Sequence, residues 1–416
     1  MNDPNLNPES LMMSYGYNPE WSEMSVKPPI FQTSTFAFKT AEQGKAFFQM
    51  VLGNTAVADK HDVGLIYSRI NNPNLEILED RLCLWDKAED CAVFESGMSA
   101  ISTAILEFVK PGDVVLHSNP LYGGTNAFIH KILDRFKINA VSFEAGETFE
   151  AITEKVKSLG FEDKISVVYV ESPANPNNAL FDLTLVKKLA DFYSTNDKKV
   201  ISMADNTYMG PLWSQPIKFG IDLVLYSATK YIAGHSDAIA GACLGKSEHI
   251  KRIKGLRTYL GGMAGPFTAW LLLRSLETLK IRMEQQAINA AIVAEYLKNH
   301  PKIEKVYYLG FIPEGTEEYR IYKNQYSSAG AMLSFDLKGG EKEAFIFLNN
   351  LKLAKLAVSL GSTESLASHP YTMTHAGTPE DEKQKSNVTE KLIRFSVGLE
   401  NAEDLINDIK QALERI

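Results

Sequence analysis

At 416 residues the chain exceeds one ordinary core, so two domains are expected. Hydrophobic residues make up 45% and charged residues 23%, the balance of a soluble globular protein. The formal net charge of −8 argues against general nucleic-acid binding, and no apolar run is long enough to span a membrane.

The first sixty or so residues are mixed and contain Pro4, Pro8, Pro19, Pro28 and Pro29. They read as an arm, 1–64, with one helix near Ala41–Val51. The polar start, Met1-Asn2-Asp3-Pro4-Asn5, lacks the basic-plus-apolar pattern of a signal peptide, so a cytoplasmic location is expected. The polar stretch 54–63 looks like an insertion. Helical patterning resumes at Pro73, with Leu75, Leu78, Leu82 and Trp85 on one face. Asn72 is the expected N-cap, with Pro73 at the first helical position.

Short apolar runs then alternate with helical segments. The runs are Cys91–Phe94, Asp113–His117, Asn139–Phe143, Ile165–Val170, Val200–Ala204, Leu223–Ser227 and Ala238–Leu244. The helical segments are Met98–Phe108, Thr125–Phe136, Glu150–Leu159 and Leu183–Thr195. This alternation predicts an α/β domain, 65–265, with a mostly parallel sheet covered by helices. From Pro266 the pattern changes. A long helix over Thr268–His300, strands at Val306–Leu309, Ala331–Leu337 and Leu392–Val397, and helices at Glu341–Leu351 and Ala402–Arg415 predict a smaller α+β domain, 266–416. Cys83, Cys91 and Cys243 fall in hydrophobic contexts without metal-ligand spacing and read as buried thiols.

Two strand ends carry chemistry. Asp205 ends one apolar strand, and Ser227-Ala228-Thr229-Lys230 ends the next. Such ends open into the ligand crevice of an α/β sheet. An amine there can bond to an aldehyde, and a carboxylate can keep a pyridine nitrogen protonated. Hydroxyls beside the amine can hold a phosphate. That is what pyridoxal phosphate (PLP) requires of a protein. Ser96-Gly97-Met98 follows another strand and opens a helix, where backbone N–H groups can approach a phosphate. Tyr122, beside Gly123 and Gly124, can stack on the ring or can be an ordinary turn tyrosine. Arg394 lies inside an apolar strand and must meet either a salt-bridge partner or a ligand carboxylate. The histidines His235, His369 and His375 show no metal spacing and read as structural or loop residues.

Taken together and in this order, the motifs resemble the Cys/Met-metabolism (trans-sulfuration) PLP enzymes of fold type I. This family includes cystathionine γ-synthase, cystathionine γ- and β-lyases, methionine γ-lyase and homoserine-ester sulfhydrylases. The matching segments are Tyr67-Ser68-Arg69, Ser96-Gly97-Met98, Tyr122-Gly123-Gly124-Thr125, Glu171-Ser172-Pro173-Ala174-Asn175-Pro176, Asp205-Asn206-Thr207, Ser227-Ala228-Thr229-Lys230-Tyr231 and Arg394-Phe395-Ser396-Val397-Gly398. The resemblance implies an aspartate-aminotransferase-like fold. It implies that Lys230 carries PLP and then moves protons, that Asp205 pairs with the pyridinium and that Tyr122 stacks and acts as acid or base. Ser96, Gly97, Met98, Ser227 and Thr229 would hold the phosphate, with Tyr67 and Arg69 reaching in from a neighbouring subunit. The active unit would then be a homodimer, usually within a homotetramer. Arg394, Ser359 and Asn175 would bind the substrate α-carboxylate or the ring oxygen.

The subtype rests on departures within the resemblance. Where cystathionine-directed members carry Glu before the Ser-Leu-Gly turn, this chain has Val358, as methionine γ-lyases do. Where methionine γ-lyases carry Cys two residues after the stacking Tyr, this chain has Gly124. The expectation is γ-elimination on methionine or a related γ-substituted amino acid, giving 2-oxobutanoate and ammonia. The alternatives are a cystathionine γ-synthase, a cystathionine lyase or an O-acyl-homoserine sulfhydrylase. A PLP-fold protein that has lost catalysis is the reading from another class, and intact Lys230, Asp205, Tyr122 and Arg394 argue against it.

Overall fold

A computed structural model describes residues 6–53 and 64–416. The 54–63 stretch, read above as an insertion, lies outside the described residues. The larger sheet has seven strands: β1 (Asp90–Phe94), β2 (Val114–Asn119), β3 (Asn139–Glu144), β4 (Ile165–Glu171), β5 (Ile201–Asp205), β6 (Leu223–Tyr226) and β7 (Gly241–Gly245). Their spatial order is β1-β7-β6-β5-β4-β2-β3. Strands β3, β2, β4, β5 and β6 pair in parallel, and β7 runs antiparallel between β6 and β1.

Strands β1, β4, β5, β6 and β7 are buried on both faces, which explains the continuous apolar runs. Alternate residues serve opposite faces. Val167 and Tyr169 of β4 join the cluster with Ile101 and Ile105, while Val168 and Val170 pack with Val186 and Leu189. On β6, Val224 and Tyr226 join a third cluster that reaches Leu333, Phe335, Ile393 and Phe395 of the second sheet. The two sheets thus share one core.

The second sheet contains β8 (Ile303–Tyr307), β9 (Met332–Leu337), β10 (Lys355–Leu356), β11 (Leu366–Ser368) and β12 (Leu392–Ser396), in the order β10-β11-β12-β9-β8. Strands β10 and β11 were not anticipated, because two or three residues carry no readable period. The helix Ser247–Leu260 was also missed.

The helix at Pro73–Asp86 forms as expected, and the Asn72 side chain accepts from Asn74 N. The expected helix Thr268–His300 is instead two, Pro266–Leu276 and Leu279–Lys298. Arg282 makes the break tolerable. Its guanidinium donates to the Ser275 carbonyl, which also accepts from Thr278 N and Oγ1 at the break, and to the carbonyl of Tyr231. The Thr125–Phe136 segment likewise changes pitch, from an α-helix at Gly123–Ala127 to a π-turn at Phe128–Ile132 and a 3-10 turn at Leu133–Phe136.

Because β7 is the antiparallel member, the carboxyl ends of β1, β2, β4, β5 and β6 all lie along one edge. Ser96, Tyr122, Glu171, Asp205 and Ser227 follow or end those strands. Chain order reverses within the sheet here, which is where α/β sheets bind ligands.

Candidate active site

Lys230 lies in the turn after β6, and its backbone N–H donates to the Ser227 carbonyl. Its Nζ donates to Ser359 Oγ at 2.8 Å. Burial, and next the Arg394 charge, lower the ammonium pKa to about 8. About half of the side chain would therefore be neutral amine at about pH 8, far more than for an ordinary solvated lysine.

Asp205 ends β5 and is buried. It accepts from Thr207 N at 3.0 Å and from the Tyr169 hydroxyl at 3.3 Å. No Lys or Arg pairs with it among the described residues. Burial raises its carboxyl above the ordinary range. A carboxylate withdrawn from water without a cation is suited to receive one.

The phosphate side is built from close backbone approaches. A Cβ added to Gly97 would lie 2.8 Å from Ser227 Cβ, and one on Gly241 would lie 2.1 Å from the Ser96 carbonyl oxygen. Only glycine lets these three turns meet. The helix Gly97–Phe108 starts here, and Ser96 Oγ caps it by accepting from Ser99 N at 3.0 Å. Ser227 N donates to Thr207 Oγ1 at 2.8 Å. The Thr229 hydroxyl donates to the Ala240 carbonyl at 3.1 Å and accepts from Ala240 N at 3.0 Å. The hydroxyl thereby fixes the loop before β7.

On the facing side, Arg394 of β12 is buried. It donates from Nη1 to Asn175 Oδ1 and from Nη2 to the Ser359 carbonyl, both at 3.1 Å. Asn175 Oδ1 also accepts from the Tyr208 hydroxyl at 2.7 Å. Ser359 therefore touches Lys230 through its hydroxyl and Arg394 through its carbonyl. It does so at φ +108°, a strained conformation for a residue with a Cβ, held by these two grips. Val358, next to it, is 56% exposed.

Tyr122 is 42% exposed at the start of the helix Gly123–Ala127. The structure explains Gly124. A Cβ there would lie 2.6 Å from Tyr122 Cε1 and 3.0 Å from Met98 Sδ, so the Tyr122 ring occupies the space a side chain would need.

Tyr67 and Arg69 are not brought into this cluster within one chain. Tyr67 bridges to Thr35, and Arg69 donates to the Thr258 carbonyl at 2.6 Å. Three participants were not singled out from sequence. Glu171 ends β4 in register with Asp205. Burial first, and Asp205 second, push its carboxyl upward, while the N–H groups of Asn175 and Tyr122 and the Arg394 charge favour the ionised form. An acid closing an apolar strand was the signal that found Asp205, and it applied equally to Glu171. Thr207 supports Ser227 and Asp205 at once. His375, read as a loop residue, is buried close enough to Arg394 for that charge, after burial itself, to hold its pKa down to about 4. No group of three or more His, Cys, Asp or Glu side chains is placed to hold a metal among the described residues.

Comparison with known proteins decides the family. The model of the Cys/Met metabolism PLP-dependent enzymes matches residues 9–414. The chain belongs to that family. It is 40% identical over 390 residues to an L-methionine gamma-lyase of Fusobacterium nucleatum subsp. nucleatum, with 93% of each chain covered. It is 35% identical over 412 residues to a cystathionine gamma-lyase of Bacillus subtilis, covering 98% of this chain and 99% of the relative. Among solved structures, a cystathionine gamma synthase from Xanthomonas oryzae pv. oryzae superposes with TM-score 0.87 at 29% identity, covering 99% and 98% of the two chains. The fold is therefore fold type I, as the motifs implied. The protein is a PLP-dependent enzyme of sulfur amino-acid metabolism. The residues present fit that cofactor: an amine of lowered pKa, a buried carboxylate without a cation, and a glycine-lined cradle at a helix start.

Proposed function

We propose that this chain is a carbon–sulfur lyase that eliminates the γ-substituent of methionine or a close analogue. With water, methionine would give methanethiol, ammonia and 2-oxobutanoate. Val358 carries this reading. An apolar, exposed residue stands one position from the Ser359 that Lys230 touches, and no carboxylate is there to receive a distal ammonium. The relatives named methionine gamma-lyase support it. Gly124 favours a second reading, in which an O-acylated homoserine or another γ-substituted amino acid is the substrate, since the resemblance to methionine γ-lyases implies Cys at that place.

In this reading PLP, held at Lys230, Asp205, Ser96, Gly97, Met98, Ser227 and Thr229, supplies an electron sink for carbanion chemistry. Arg394 and Asn175 would fix the substrate α-carboxylate by a charge-assisted bond. Ser359 would orient the Lys230 amine. With the cofactor in place, Lys230 Nζ would take the substrate's α-proton and return protons to its later carbons. Asp205 would keep a positive charge at the ring nitrogen. The Tyr122 hydroxyl, at the open side, would protonate the departing thiolate.

Val358→Glu is expected to raise kcat/KM on cystathionine relative to methionine. A carboxylate there would meet the distal ammonium and penalise apolar substrates. A differential of about 1.4 kcal/mol is a tenfold change in the ratio. The measurement is kcat/KM for both substrates in both proteins. An unchanged ratio would remove Val358 from the distal pocket and this subtype with it.

The active unit in this reading is a homodimer, within a tetramer. Arg69 lies against Thr258, beside Tyr259 and Leu260, which are 82% and 54% exposed. Exposed apolar groups clustered in this way suit a subunit interface. Tyr67 and Arg69 would then reach the partner's phosphate. Mixing inactive Arg69→Ala and Lys230→Ala chains should restore activity, because each mixed dimer contains one site with both residues intact. No recovery after verified subunit exchange would rule out sharing. The three buried, unbridged cysteines agree with a cytoplasmic location.

A further inference from the structure

Two turns flank the pocket on the β2–β4 side. One carries Tyr122 and the other carries Asn175. Both are tied to a single carboxyl group. Glu171 Oε2 accepts from Tyr122 N at 2.6 Å, and Oε1 accepts from Asn175 N at 2.8 Å. Glu171 is itself fixed, because its backbone N–H donates to Ser118 Oγ of β2 at 3.0 Å. It is 4% exposed and makes no ion pair among the described residues.

We propose that Glu171 is a positioning residue that sets Tyr122 and the Asn175–Arg394 pair at a fixed separation across the pocket. This rests on the reading that those residues face the cofactor ring and the substrate carboxylate. Chemistry favours an acid at this point. Two converging N–H donors require two acceptors on one planar group, and only a carboxyl offers both. Glutamine would present one acceptor and one donor, and its NH₂ would face an N–H. Tyr122 has few other restraints, since it begins a helix of five residues without a side-chain cap. Asn175 passes the constraint onward through Oδ1 to Arg394 and Tyr208. The β4–β5 register also sets Glu171 opposite Asp205, so the same strand end supports three sides of the site.

A merely structural acid would change stability alone. The test is therefore made on the folded, PLP-loaded protein, with glycine as an unreactive amino acid that presents the α-carboxylate. In Glu171→Gln, one of the two N–H bonds is lost. Glycine affinity, read by spectral titration, should fall about tenfold, the effect of one misplaced charge-assisted contact. The circular dichroism of the bound cofactor should change, because the ring loses its fixed tyrosine. The loss in kcat/KM should appear in both kcat and KM. Glu171→Asp, which keeps two acceptors but is one methylene too short, should show the same signature and serves if the amide variant does not fold. A folded variant with wild-type glycine affinity and wild-type cofactor dichroism, whatever its melting temperature, would overturn the proposal. A wild-type protein that fails to respond to glycine would instead overturn the reading beneath it.

Discussion

Lys230→Ala is expected to abolish turnover, a loss of about 10⁴-fold or more, and to leave PLP removable by dialysis. Two functions end with the amine: covalent attachment of the cofactor and proton movement at the substrate carbon. The neighbouring geometry supports both. Ser359 Oγ holds Nζ at 2.8 Å, and burial together with Arg394 lowers the ammonium pKa to about 8. Only the neutral amine attacks an aldehyde. PLP uptake by the apoprotein should therefore quicken about tenfold per unit as pH rises toward 8, then level off above it. Stopped-flow absorbance on wild-type apoprotein measures this. A rate still climbing tenfold per unit well above pH 9 would mean an ordinary, solvated lysine. Substantial activity in Lys230→Ala would remove it from the mechanism.

Asp205→Asn is expected to keep the cofactor while lowering kcat about 10²-fold, roughly 2.7 kcal/mol at the transition state. The amide retains the bond from Thr207 N but cannot compensate a positive ring nitrogen. Burial makes this carboxyl matter. It has no cation of its own among the described residues, and neutral groups of Tyr169 and Thr207 supply its hydrogen bonds there. The measurement is kcat together with cofactor content, which separates lost chemistry from lost binding. Wild-type kcat in the loaded variant would show that another group holds the nitrogen.

The fold was legible where burial imposes a pattern. Strands such as Ile165–Glu171 are mostly apolar because both faces are covered, and Lys230 and Asp205 stand out at strand ends. The resemblance added Ser359, Asn175 and Val358, which no local pattern marks. Other features depend on partners far away in sequence. The break between Leu276 and Leu279 is stabilised by Arg282, and the short β10 and β11 pair with each other and, through β11, with β12. Gly124 looked like a missing cysteine, yet the Tyr122 ring fills that space. Glu171 carried the same signal as Asp205. Its weight became visible only when two turns were seen to meet on it.

The reaction itself is tested most directly by the keto acid formed from L-methionine. The PLP-loaded protein should release 2-oxobutanoate and methanethiol in equal amounts, and Lys230→Ala should release neither. Pyruvate as the main product from sulfur amino acids, or no keto acid from methionine while cystathionine or an O-acyl-homoserine is consumed, would contradict the γ-elimination assigned here.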